Sequence, residues 1–272
     1  MIRTSINPGG MVNSLLSNHR LIWKMICREI ASKYKTSIAG VMWSFLNPLI
    51  MLGIYTFVFN IIFKARWNTG PDSTTNFALM IFIGMIIHGV LAETIAGSPN
   101  LIVRNTNYVK KVIFPIEILP LVSIGVTLFH ALISFFIWSI LFIITVGQFR
   151  ITALFIPVLI IPLLCFSLSI SWLLAAIGVY FRDVDQMTNV VNALLLFTSP
   201  VVYPLTHIPT NIQIYFYANP LTFIIEQTRS ILIYGIPPNW YSLGVILFSS
   251  ILAAWLGFAF FQKTRHGFAD VL

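Results

Sequence analysis

Five long apolar stretches dominate the chain: Trp43 to Phe63, Phe77 to Ala96, Ile118 to Val146, Ile151 to Tyr180 and Leu243 to Phe261. Each approaches or exceeds the roughly 20 residues that a helix needs to cross a hydrocarbon core about 30 Å thick. No water is available there, so the backbone must satisfy its own N–H and C=O groups and the stretches are read as helices. A sixth, Gln186 to Tyr203, contains Asn189 and Asn192 and would rise only about 27 Å, which makes it marginal. Hydrophobic side chains make up 58% of the chain and charged ones 9%, against roughly 25% charged in soluble domains. That leaves too little polar surface to cover a soluble enzyme.

Between Pro204 and Tyr241, the stretches Ile212 to Tyr217 and Leu221 to Tyr234 are apolar but bounded by Pro209, Pro220 and Pro237. The longer one would reach about 21 Å as a helix, so a re-entrant hairpin fits better than two crossings. The expected fold is all-α and integral to the membrane. A cytoplasmic arm with an amphipathic interface helix (1–41) precedes a six-span domain (42–272), with the hairpin between spans 5 and 6.

The net charge of +8 has no soluble domain through which to read nucleic acid, so nucleic-acid binding is not expected. The basic residues instead orient the chain. Six spans put Arg3, Arg20, Lys24, Arg28, Lys33, Lys35, Arg104, Lys110, Lys111, Arg182, Lys263 and Arg265 on one side, and only Lys64, Arg66, Arg150 and Arg229 on the other. The positive-inside rule then places both termini in the cytoplasm. The first 40 residues contain no apolar core with a small-residue cleavage site, so the N-terminus is expected to be retained. Cys27 and Cys165 lie in unlike surroundings and are expected to stay unpaired.

In the arm, Val12, Leu15, Leu16, His19, Ile22, Trp23, Ile26 and Ile30 share one helical face, with Arg20, Lys24 and Arg28 as a basic stripe beside it. Such a helix is expected to lie in the interface plane against anionic headgroups. The segment GSPNLIVRNTNYVKKVIFP, Gly97 to Pro115, places Ser98 to cap a short helix whose first residue is Pro99 and whose end carries Lys110 and Lys111. A tight turn follows span 4, with Arg182, Asp183 and Asp185.

Ionisable groups within the spans are few: His88, Glu93 and His130, with Glu226 and Arg229 in the hairpin. Glu93 lies near the inner end of its span, which gives little support to a carrier driven by an ion gradient. No phosphate loop, H-E-x-x-H motif or close cluster of carboxylates and histidines occurs, so no catalytic, cofactor or metal residues are nominated. Uphill movement of a substrate would need energy from another chain. Aromatic side chains make up 14% of the sequence; most such residues pack or form interfacial belts, and some could stack on sugar rings.

Several ordered segments resemble the ABC-2 type permeases that export O-antigen, capsular and teichoic-type polymers. REIASKYKTSIAGVMWSFLNPLI (Arg28 to Ile50) resembles their entry into the first span. GVYFRDVDQMTNVVNALLLFTSPVVYP (Gly178 to Pro204) resembles their fifth span with its preceding turn, NPLTFIIEQTRSILIYG (Asn219 to Gly235) their re-entrant segment, and FADVL (Phe268 to Leu272) the ending of polysaccharide members. The resemblance implies an inner-membrane half-transporter that forms a homodimer, binds two copies of a separate ATPase and leaves ATP and Mg to that partner. It also implies a lipid-linked polysaccharide substrate. Ser98, Asn105, Tyr108, Lys110, Arg182 and Asp183 would then face the ATPase, and Arg20, Trp23, Lys24 and Arg28 would belong to the interface helix. Tyr55, Phe59 and Phe197 would line the translocation path. Glu226 and Arg229 would sit at a periplasmic gate, where an i, i+3 pair between them is expected to hold the hairpin closed.

Overall fold

The structure, a computed structural model, describes residues 7–35, 42–62, 74–110, 114–148 and 150–272. The described residues contain helices and no strand. In chain order the helices are α1 (Pro8–Ser17), α2 (His19–Lys35), α3 (Trp43–Tyr55), α4 (Thr74–Gly97), α5 (Leu101–Arg104), α6 (Thr106–Lys110) and α7 (Leu119–Val146). They are followed by α8 (Ile156–Tyr180), α9 (Val184–Phe197), α10 (Thr210–Tyr217), α11 (Pro220–Arg229), α12 (Trp240–Thr264) and α13 (Phe268–Val271). Wider π-helical turns extend α3 over Thr56–Ile62 and α11 over Ser230–Tyr234. Arg3, Lys64, Arg66, Lys111 and the expected end of the first span at Phe63 lie outside the described residues.

Four helices are long and apolar enough to cross a membrane, and they contain the expected spans 2, 3, 4 and 6. Proline opens several helices where its missing N–H is harmless: Pro8 in α1, Pro120 in α7, Pro157 in α8 and Pro220 in α11. The marginal sixth stretch differs from expectation. Its helix, α9, stops at Phe197, and Thr198 to Tyr203 form turns that fold back toward α11.

Helix α4 is the axis of the bundle. Phe77, Ala78, Leu79, Met80, Ile81, Phe82 and Ile83 are all buried, so this stretch presents no side to lipid. Helices α3, α7, α8, α9 and α11 pack around it, and α12 lies along α8 on the outside. The Ser169 hydroxyl on α8 ties that outer pair by donating to the Ala253 carbonyl at 2.6 Å.

The arm departs from the single-faced helix expected of it. Asn18 interrupts it between α1 and α2, and the apolar residues divide between two faces. Ile22 and Met25 are buried against α7 and its neighbours, with Leu15 and Ile26 partly so. Val12, Leu16 and Trp23 are exposed, Trp23 at 67%. One face packs on the bundle and the other is exposed, a division that hydrophobic spacing does not reveal.

Candidate functional site

At the end of the bundle that carries the termini, Glu117 and Arg265 form a buried ion pair at 3.1 Å between residues 148 positions apart. Ser14 of the arm donates to the other Glu117 oxygen at 3.0 Å, and Gln262 accepts from Arg265 at 2.7 Å. The Trp172 indole N–H donates to the Glu117 carbonyl at 2.9 Å. One carboxylate thus joins the arm, the start of α7 and the end of α12, while its backbone holds α8. Glu117 and Arg265 are absent from the sequence-derived site. Their only sequence signal is rarity, since the chain has just eight acidic residues.

The loop from Ser98 to Lys110 sits on this platform. Leu101, Ile102 and Val109 enter the same apolar core as Trp172, Phe258, Phe261 and Phe268. Ser98 does not cap the following helix. It is buried, and its hydroxyl lies 2.5 Å from the Thr94 carbonyl and 2.7 Å from the Ser171 hydroxyl, while Asn100 precedes α5. The reason is the close approach of α8: a Cβ on Gly178 would lie 2.1 Å from the Pro99 carbonyl oxygen, so the Ser98–Pro99 turn is pressed onto that helix. Ser98 is therefore closed off from the surface of the chain. Asn105 is half-buried and donates back to the Leu101 carbonyl at 2.8 Å, whereas Lys110 is exposed.

Tyr108 joins this loop to the arm. Its ring stacks on Phe114 at 4.5 Å and its hydroxyl accepts from Arg28 at 2.8 Å. Arg20 and Lys24 are exposed on the same helix as Arg28. Beside them, burial raises the Glu29 carboxyl above its usual value and Arg28 opposes the rise. Arg182 and Asp183 are exposed in the turn between α8 and α9, at the same end of the molecule.

At the opposite end the organising residue is Arg229. Glu226 accepts from it at 3.0 Å, the i, i+3 spacing read from the sequence. Other acceptors matter more. The guanidinium also donates to the backbone carbonyls of Met80, Pro200 and Val201 at 2.5–3.1 Å. Arg229 is only 2% exposed, whereas Glu226 is 36% exposed. Helix α11 is thus held to α4 and to the turn after α9 by carbonyl dipoles, with the carboxylate as a peripheral member. Gly84 makes the room, since a Cβ there would lie 2.8 Å from the Arg229 guanidinium.

The path residues divide. Tyr55 ends α3 and lines a cavity against α4 and α7. Phe197 ends α9 and is 66% exposed, and its carbonyl accepts from the Tyr203 hydroxyl. Phe59 lies in the π-helical turns, with its side chain outside the described part. Among the described side chains, Tyr55 lines that cavity and Phe197 does not. The structure does bring together two ionisable residues from different spans: His130 Nδ1 lies 3.3 Å from Glu93, while its Nε2 lies 2.9 Å from the Tyr34 hydroxyl.

Buried polar links at both ends and an axial helix enclosed by spans define a multi-span membrane protein. The comparisons name its class. The chain matches the ABC-2 type transporter family over residues 20–233 and belongs to it. It is 24% identical over 263 residues to the O-antigen export system permease protein RfbA of Myxococcus xanthus, covering 96% of this chain and 98% of the relative. The like-named protein of Klebsiella pneumoniae is 24% identical over 90% of this chain and 92% of its own length. The polysialic acid transport protein KpsM of Escherichia coli is 24% identical over 89% and 92%.

Proposed function

We propose that the chain is the channel-forming subunit of an ATP-driven exporter that moves a lipid-linked polysaccharide, an O-antigen or a capsule, across the bacterial inner membrane. The observation that carries this reading is the end-to-end match to an O-antigen export permease, over 96% of this chain and 98% of that protein. A teichoic-type polymer is the alternative cargo within the same class.

In this reading α3 with its π-helical extension is the first span, because the 20 residues from Trp43 to Ile62 rise about 30 Å. Helix α9 with the turns after it is the fifth, and α10 with α11 is the re-entrant hairpin. The arm over 1–41 and the six-span domain over 42–272 are the two parts. Both termini face the cytoplasm, where most of the basic residues gather. Two copies pair, and two ATPase subunits dock beneath them and bind ATP and Mg.

The ATPase-facing surface consists of Asn105, Tyr108, Lys110, Arg182 and Asp183, with Ser98 supporting it from within. Loop motion passes to the arm through Tyr108 and Arg28 and to α8 through the Ser98–Pro99 turn. Tyr55, Phe59 and Phe197 border the path, and Arg229 with Glu226 closes the outer end. The test is complementation of a strain deleted for its own polysaccharide permease. Surface polymer should return only when this chain and its matching ATPase are both expressed. Return without an ATPase, or ATP hydrolysis by the purified chain alone, would end the reading.

A further inference from the structure

The end of α2, one side of α3 along its length and the facing sides of α4 and α7 line a cavity of about 410 Å³. Small-ligand sites commonly fall between about 300 and 1,000 Å³. Its walls combine two chemistries. Trp43, Tyr34, Tyr55 and Phe82 offer aromatic surface, whereas Asn47 and Glu93 offer an amide and a carboxylate. Ser44 is 7% exposed and lines the same cavity, and its hydroxyl has no hydrogen-bond partner among the described residues. A buried hydroxyl left in that state is destabilising until a ligand or water satisfies it.

Hydrogen bonds set the polarity of one wall. The Glu93 carboxylate can only accept, so His130 donates to it from Nδ1, while its Nε2 shares a hydrogen bond with the Tyr34 hydroxyl. This arrangement places a carboxylate, 51% exposed, on the cavity wall. Lys33 also lines the space, so its formal charge offsets that of Glu93.

A neighbouring cavity of about 320 Å³ supplies the contrast. It shares Ile86, Val90 and Ala131 with the first but faces α8, and Thr228 is the one polar side chain among its described lining residues. An acyl chain suits that second space. In the first it would leave the buried Ser44 hydroxyl without a partner and offer nothing to the Asn47 amide or to the carboxylate that Glu93 presents. A sugar ring meets both chemistries, because its C–H face lies on aromatic surface while its hydroxyl edge donates to carboxylate, amide and hydroxyl oxygens.

We propose that this cavity between the arm and the first three spans is a binding site for one neutral sugar residue. The inference rests on the reading of the chain as a polysaccharide exporter and adds a position within a single protomer where the glycan is held.

Saturation-transfer NMR on the full chain in phosphatidylethanolamine nanodiscs tests it, with the methyl glycosides of glucose, galactose, mannose and N-acetylglucosamine as probes. Methyl sialoside and glycerol 3-phosphate serve as acidic comparisons. At least one neutral glycoside should bind saturably, and Glu93→Gln and Trp43→Leu should each weaken it about tenfold. Trp240→Leu, at an exposed site remote from the cavity, should not. If Trp43→Leu lowers the melting temperature, Asn47→Leu replaces it as the test of that wall.

No saturable neutral glycoside, unchanged binding in the cavity variants, or tighter binding of either acidic probe would each overturn the site. Export measured in the complementation strain keeps the two proposals apart. Normal export without glycoside binding removes only the cavity, whereas glycoside binding without export removes only the exporter reading.

Discussion

Arg265 and Arg229 are both almost wholly buried, at opposite ends of the bundle, and their charges are met in different ways. Arg265 faces a carboxylate as buried as itself, Glu117, with Gln262 and Ser14 completing the group. Arg229 faces three backbone carbonyls, and its carboxylate partner reaches solvent. A buried ion pair is unforgiving, because loss of one member strands the other charge. Carbonyl dipoles are hydrogen-bonding groups whose separation from a cation leaves no net charge behind. The first arrangement suits a rigid platform under the loop of α5 and α6. The second suits a contact that breaks and reforms during a transport cycle.

The sharpest way to break this contrast is to delete one charge at the platform. Glu117→Leu or Arg265→Leu alone should destabilise the protein by about 3–5 kcal/mol, and the double variant should recover much of the loss. Thermal unfolding in detergent checks this, and a double variant no better than either single one would remove the ion pair from the argument.

At the opposite end, Arg229→Gln should be milder, about 2–3 kcal/mol, because it releases carbonyls rather than a buried charge. Exchanging the two residues, Glu226→Arg with Arg229→Glu, should not rescue it. A carboxylate at position 229 would face the carbonyl oxygens of Met80, Pro200 and Val201. Rescue by the exchange would restore the simple i, i+3 pair as the lock.

The two ends also each contain a tight glycine. Gly178→Ala drives a Cβ into the backbone of Pro99, whereas Gly84→Ala meets the end of the Arg229 side chain first. Both should cost about 1–3 kcal/mol, with Gly178→Ala the larger, and the order of their melting temperatures tests which neighbour can yield. The smallest effect is expected from Glu226→Gln, below about 1 kcal/mol, since its carboxylate is partly solvated.

The helices corresponding to spans 2, 3, 4 and 6 were legible in the sequence, as were the short helices α10 and α11 and the spacing of Glu226 and Arg229. The marginal stretch from Gln186 to Tyr203 was less so: its helix stops at Phe197, just before Pro200, which disfavours continuation of the helix, and the Pro200 and Val201 carbonyls in the turns that follow accept from Arg229. Ser98 was misread. Serine before proline is a good capping sequence, yet contact with α8 turns its hydroxyl toward Ser171. Counting charges by side placed Arg265 among the basic flanks. It could not reveal that Glu117, 148 residues earlier, would bury it.

What the sequence determined by itself is local in origin. Long apolar stretches must satisfy their backbones internally and so become helices, and clustered Lys and Arg mark one end. Which face of each helix is enclosed was decided by tertiary packing. Side chains that are apolar on every side carry no periodic mark distinguishing a protein neighbour from lipid, as the unbroken burial of Phe77 to Ile83 illustrates. Packing likewise decided the pairing of Glu117 with Arg265, the carbonyl cage of Arg229 and the meeting of Tyr34, His130 and Glu93. Those contacts join residues far apart in the chain, and they exist only once the helices have chosen their neighbours.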